Sequence, residues 1–250
     1  MTASGPARDA KAEKLTFAVP HDAEDVPAVL WRPERSARHR PLVLLGHGGG
    51  MHKESPFIAR LGNWLATGLG YAALAIDLPY HGDRTPAGEI GLSAIERRRR
   101  MGLQAWRERN SQATVQAIGD WKAAITAAQD LDPAGHGPIG YAGLSMGTRF
   151  GVPLAAAEPR ITAAVFGLFG VPAADTQSAF ARAARQVTIP LLYLLQWDDQ
   201  LFPRADGLAL FDLFATRDKT MHANPGGHLQ VPRAEIESTV QFLRQHLGGS

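Results

Sequence analysis

Gly140-Tyr141-Ala142-Gly143-Leu144-Ser145-Met146-Gly147 is the stretch whose reading decides the fold. Gly140–Leu144 is short, small and apolar, as a buried strand is, and the pattern from Arg149 to Ala157 is helical. Between them Gly143-Leu144-Ser145-Met146-Gly147 forms a G-x-S-x-G at a strand-to-helix turn. A turn that tight strains the serine backbone and leaves no room for side chains at the flanking positions. It lifts the hydroxyl above the edge of a sheet. It also sets the N-terminus of the next helix behind the hydroxyl, where free N–H groups favour negative charge.

Outward from this turn, apolar runs alternate with amphipathic segments. Pro41–Leu45, Tyr71–Ile76, Ala163–Leu168 and Pro190–Gln196 read as strands, with a shorter one at Lys219–His222. Phe57–Thr67, Gln112–Gln129, Asp206–Phe214 and Arg233–Leu247 read as helices. The Gln112 helix places Val115, Ile118, Trp121, Ala124 and Ile125 on one face. Lys14–Val19 and Val26–Trp31 are strand-like and come before the alternation begins. Apolar runs without polar alternation mean strands covered on both faces, so the fold class is α/β with a mostly parallel sheet. Residues 1–250 read as one domain, with residues 1–13 expected to be frayed. Arg84–Asn110 breaks the alternation and is expected to form an extra helix over one end of the sheet, as a small lid. Its run Glu96-Arg97-Arg98-Arg99-Arg100 reads as a solvated helix face.

Composition narrows the chemistry. Lys and Arg number 26 against 24 Asp and Glu, and a net charge of +2 is far from the field of a nucleic-acid binder. With no cysteine, the chain has no disulfide, thiolate nucleophile or iron–sulfur site. The first fourteen residues contain no apolar signal core and no run is long enough to span a membrane, so a cytoplasmic protein is expected.

Ser145 needs a base and an orienting acid to act as a nucleophile. Here the chain resembles the α/β-hydrolases over roughly residues 14–247. The resemblance implies an eight-stranded sheet and a nucleophile, acid and histidine in that chain order. Ser145, Asp199 and His228 follow that order, each in a loop after a strand. The family's acid loop commonly reads G-x-x-D-x-x-x-P, which picks Asp199, four residues before Pro203, over Asp198. Gln196 stands where glycine is usual. Pro225-Gly226-Gly227-His228 resembles the family's histidine loop, whereas His222 reads as locally bonded and His21, His39, His136 and His246 as surface residues. Gly46-His47-Gly48-Gly49-Gly50 resembles the H-G-G-G turn of esterases, implying an oxyanion hole from the N–H groups of Gly49 (Gly48 the alternative) and Met146. Asp77-Leu78-Pro79-Tyr80-His81-Gly82 is similar to the family's D-x-P-G-H-G turn, with Tyr80 in the glycine place and a structural role implied for Asp77 and His81.

The implied activity is hydrolysis of a small or medium carboxylic ester through an acyl-serine, without cofactor or metal. Met51, Tyr80, Trp106, Trp197 and Phe202 are the candidate substrate contacts. The general pattern is dienelactone-hydrolase-like, although those enzymes typically carry cysteine where this chain has Ser145. Amide, thioester or carbon–carbon bond hydrolysis, and a non-catalytic binding role, stay open. So does a homodimer.

Overall fold

The computed structural model describes residues 11–22, 24–34, 39–132 and 135–248. Eight strands, β1 (Ala12–His21), β2 (Glu24–Pro33), β3 (Leu42–Gly46), β4 (Ala72–Ile76), β5 (Ile139–Gly143), β6 (Ile161–Gly167), β7 (Leu191–Gln196) and β8 (Lys219–Asn224), form one sheet in the order β1-β2-β4-β3-β5-β6-β7-β8. β1 pairs antiparallel with β2, and β2 with β4. Every pairing from β4 to β8 is parallel. The carboxyl ends of β3, β5, β7 and β8 therefore open on the same rim, where loops of an open parallel sheet gather their functional groups.

Among the described residues seven α-helices flank the sheet or one another: α1 (Pro56–Trp64), α2 (Ala94–Met101), α3 (Leu103–Leu131), α4 (Met146–Ala157), α5 (Ala179–Ala184), α6 (Arg204–Leu213) and α7 (Ala234–Leu247). The strand period of two divides the core into two layers. Leu42, Leu44, Leu74, Tyr141, Phe166 and Tyr193 pack with Trp121 and Ile125 of α3, Phe150 of α4 and Leu210 of α6. Val43, Leu45, Ala73, Val165 and Leu192 face the other way, onto Ile58 and Leu61 of α1 and Val240 and Leu243 of α7. Every one of these side chains except Val240 is at most 3% exposed, so each large one contributes about 1.5–3 kcal/mol by leaving water.

The structure departs from the sequence reading in three places. Residues 1–10 of the segment expected to fray lie outside the described residues, but Ala12 and Glu13 already pair with Pro33 and Arg32 in β1. The helix read from Gln112 begins at Leu103 and runs 29 residues. Its buried stripe is Ala113, Ala117, Trp121, Ala124 and Ala128; Val115 lies about 200° round from Ala113 and is 73% exposed. The extra segment is thus divided at Gly102, whose φ of 84° breaks the chain between α2 and the start of α3.

Within that segment, Ser93 and Glu96 close a capping box on α2. Arg98, Arg99 and Arg100 are exposed, as a solvated face requires, but Arg97 turns inward and donates to the Tyr80 carbonyl at 2.9 Å. Arg84 is buried between Asp120 (2.7 Å) and Glu24 (2.6 Å), tying the start of the segment to α3 and the β1–β2 ribbon. No helix among the described residues is long and apolar enough to cross a membrane.

Candidate active site

Ser145 joins β5 to α4 with φ 57° and ψ −117°, a region that ordinary residues avoid. Its neighbours impose that shape. The Ser145 N–H donates to the Gly167 carbonyl at 2.9 Å, and Thr148 Oγ1 accepts from the Gly167 N–H at 2.8 Å. The Tyr141 hydroxyl donates to the Gly147 carbonyl at 2.6 Å. A Cβ at Gly147 would stand 2.5 Å from the Gly46 carbonyl oxygen, and one at Gly143 would stand 2.8 Å from the Tyr141 ring. Both flanking glycines are thus required by contact with neighbouring elements.

His228 Nε2 lies 3.0 Å from Ser145 Oγ, and Nδ1 lies 2.7 Å from Asp199 Oδ2. The carboxylate can only accept, so it fixes the proton on Nδ1 and leaves the Nε2 lone pair for the serine hydroxyl. Asp199 is itself held: Oδ1 accepts the N–H groups of Leu201 (2.8 Å) and Phe202 (3.0 Å). The His228 and Asp199 side chains are only 5% and 3% exposed, so little water competes for these bonds. Asp198 points elsewhere, accepting the Gly226 N–H at 3.0 Å. It is exposed on the loop surface.

The loop after β3 is anchored on His47, which is fully buried. Its Nδ1 meets the Gly48 carbonyl at 2.9 Å, and Nε2 accepts the Leu78 N–H at 3.1 Å. Burial, opposed by the Gly48 bond, pushes its pKa down to about 4, so the ring is neutral at pH 7. Asp77 accepts the backbone N–H and Nζ of Lys53 (2.8 and 2.9 Å) and the Asp83 N–H (2.9 Å). Burial alone would raise its pKa, but these bonds hold it below the usual carboxylate range. Gly82 has no alternative residue, since its φ is 56° and a Cβ would lie 2.3 Å from the Asp77 carboxylate. Tyr80, in the usual glycine place, adopts φ 67° and is clamped by Arg97 on its carbonyl and by the Arg109 guanidinium 3.7 Å above its ring.

The sequence matches the dienelactone hydrolase family over residues 26–223. The chain belongs to the dienelactone hydrolase family. Among solved structures it resembles a cold-adapted esterase from an Arctic intertidal metagenomic library, seen bound to polyethylene glycol, at 38% identity and a TM-score of 0.80. That match covers 99% of this chain and all of the other. A dienelactone hydrolase from Anabaena variabilis (19% identity, TM-score 0.68, covering 95% and 99%) and a ferulic-acid-bound esterase from Butyrivibrio proteoclasticus (17%, 0.69, 93% and 100%) share the fold. No curated protein matches significantly.

In this dienelactone hydrolase family member, a cavity of about 230 Å³ opens on Ser145. Gly49, Met146, Tyr80, Trp106 and Phe202 border it, and Gly48 does not. Met51 and Trp197 are not among its walls. Met51 is 37% exposed on the glycine loop, and Trp197 is 47% exposed with the Arg204 guanidinium stacked on its ring at 4.0 Å. Among the described residues no group of three His, Cys, Asp or Glu side chains could hold a metal ion.

Three side chains of the site carry no motif. Gln196, buried, donates through Nε2 to the carbonyls of Gln230 (3.0 Å), Gly227 (3.3 Å) and Pro225 (3.5 Å), stitching the end of β7 to the histidine loop. Gln200 accepts the His228 N–H at 3.1 Å. Arg149 donates to the Asn110 carbonyl at 2.8 Å and makes no ion pair among the described residues; burial lowers its pKa to about 10. Its spacing of four from Ser145 puts it one helical turn on, a cue the sequence does contain.

Proposed function

We propose that this chain hydrolyses a carboxylic ester of a small or medium molecule through an acyl-serine formed on Ser145. The observation that carries the reading is the hydrogen-bonded line from Ser145 through His228 to Asp199, set on a strained turn at the mouth of a cavity. The family membership and the 38%-identical esterase support the same chemistry.

As Ser145 Oγ attacks the ester carbonyl carbon, its proton passes to His228 Nε2, and Asp199 stabilises the imidazolium. The carbonyl oxygen becomes an oxyanion held by the N–H groups of Gly49 and Met146. The Met146 N–H belongs to the first turn of α4, so the helix adds its own positive end. Collapse breaks the acyl–oxygen bond, and the leaving alcohol takes the proton from His228. Water then gives His228 a proton as it attacks the acyl carbon, the acyl–Oγ bond breaks, Ser145 takes the proton back from His228, and the carboxylic acid leaves. On this reading residues 1–250 act as one catalytic domain, with Arg84–Asn110 as a small lid that contributes Leu92, Arg97, Trp106 and Arg109 to the cavity.

Turnover of p-nitrophenyl esters against the matching anilides, with fluorophosphonate labelling, tests the proposal. Wild type is expected to cleave the esters and take one label per chain. Ser145→Ala is expected to fold normally, take no label and lose about 10⁴–10⁶ in kcat. Turnover retained in that variant, or anilides cleaved in preference to esters, would overturn the assignment.

A further inference from the structure

Beside the cavity at Ser145 lies a second, larger one of about 670 Å³, bordered mainly by apolar groups from α3, α5 and the loop after β6. Asn110, Arg149, Phe169 and Phe202 belong to the walls of both. Val115 (73% exposed) and Leu201 (57% exposed) face this groove, so large apolar side chains stand in it without a protein partner. Uncovered apolar surface in a concave site marks a place where a ligand supplies the cover.

Aromatic rings link the base to the groove. The His228 ring lies 5.8 Å from Phe202, Phe202 4.7 Å from Phe169, and Phe169 5.1 Å from Phe180. These rings run from the imidazole along the boundary that the two cavities share, and end at Phe180, which borders the groove but not the smaller cavity. Gly49 and Gly50, by contrast, border only the smaller cavity. An ester on Ser145 must turn its carbonyl oxygen to the Gly49 and Met146 N–H groups. Its alcohol oxygen must face His228, which protonates it as the acyl–oxygen bond breaks.

We infer that the larger groove receives the alcohol part of the ester and the smaller cavity the acyl part. This assignment rests on the ester-hydrolase reading and adds a substrate class: short acyl groups esterified to a bulky, largely apolar alcohol, aromatic or branched. At about 230 Å³ the acyl side falls below the ~300–1,000 Å³ of ordinary ligand pockets, and the alcohol side falls well within that range.

Two isomeric esters test it: 4-phenylbutyl acetate, with its bulk on the alcohol, and ethyl 4-phenylbutanoate, with the same atoms on the acyl side. Ethyl acetate sets the baseline. The expected result is a kcat/KM for 4-phenylbutyl acetate at least about tenfold above both others, as filling an apolar pocket provides. Ala179→Trp narrows the groove from exposed α5, and Val115→Trp does so from α3; either is expected to bring the ratio of the two acetates toward one. Melting curves and labelling of Ser145 establish that the variants are folded. Preference for ethyl 4-phenylbutanoate would assign the groove to the acyl group, and equal rates or unaltered ratios would leave it without a substrate role; either overturns the inference alone. Absence of turnover on all three esters, with no label taken up, would remove the ester-hydrolase reading and the subsite with it.

Discussion

Two adjacent carboxylates show how much one bond partner decides. Asp199 accepts from His228 and two backbone N–H groups, while Asp198 accepts only the Gly226 N–H. Asp199→Asn would place an amide opposite Nδ1 and favour the wrong tautomer, and kcat is expected to fall by about 10⁴. Asp198→Asn keeps an acceptor for Gly226 and is expected to stay within about tenfold, since one exposed bond is worth about 0.5–1.5 kcal/mol. Paired kcat measurements check the ranking. Gln196 is the residue whose meaning only the structure reveals. Glutamine in the usual place of glycine reads as a flaw in the acid loop, yet its amide holds three carbonyls of the neighbouring loop. Gln196→Ala is expected to lower stability by about 1–3 kcal/mol, through carbonyls left without a donor, and to lower kcat with little change in KM. Denaturant titration and steady-state kinetics read both; unchanged values would make the stitch irrelevant.

Elements near the rim owe their shape to contacts that local sequence does not contain. Ser145 and Asp199 were legible because each sits in a short pattern after an apolar strand, and His228 because of its glycine-rich loop; the parallel sheet brings such loops to one rim whatever their separation in sequence. The start of α3 was not, because the break at Gly102 depends on one residue with positive φ and not on hydrophobic period. Val115 was misplaced because an apolar residue at a helix surface looks the same in sequence whether core or groove lies beside it. At the β5–α4 turn, Gly147 packs against the end of β3, with no space for a methyl group before the Gly46 carbonyl. Gly147→Ala is expected to destabilise the protein by about 1–3 kcal/mol, the usual effect of overpacking, and to reduce labelling of Ser145. A shift in melting temperature with labelling kept at wild-type rate would show that the turn can yield.

For the whole molecule, His47 is one of the groups that make stability depend on acid. Its folded-state pKa of about 4 lies below the ordinary histidine value of 6.5, so between these values the unfolded chain binds a proton that the native state refuses. Stability therefore rises with pH across that window and is lost as pH falls through it, by up to about 3 kcal/mol at roughly 1.4 kcal/mol per unit. Melting temperature followed from pH 7 to pH 4 is expected to fall, and His47→Gln, which carries no titrating ring, to flatten the slope. An identical slope in that variant would transfer the effect to other groups. The chain has no cysteine, and the backbone at position 145 is shaped by Gly167, Thr148 and Tyr141 and not by the serine hydroxyl. A Ser145→Cys protein would consequently own a single sulfur nucleophile, already seated opposite an imidazole. The rate at which a thiol dye reacts with that one cysteine would then read the state of the centre without a substrate, since the thiolate is favoured only where the imidazole stands beside it.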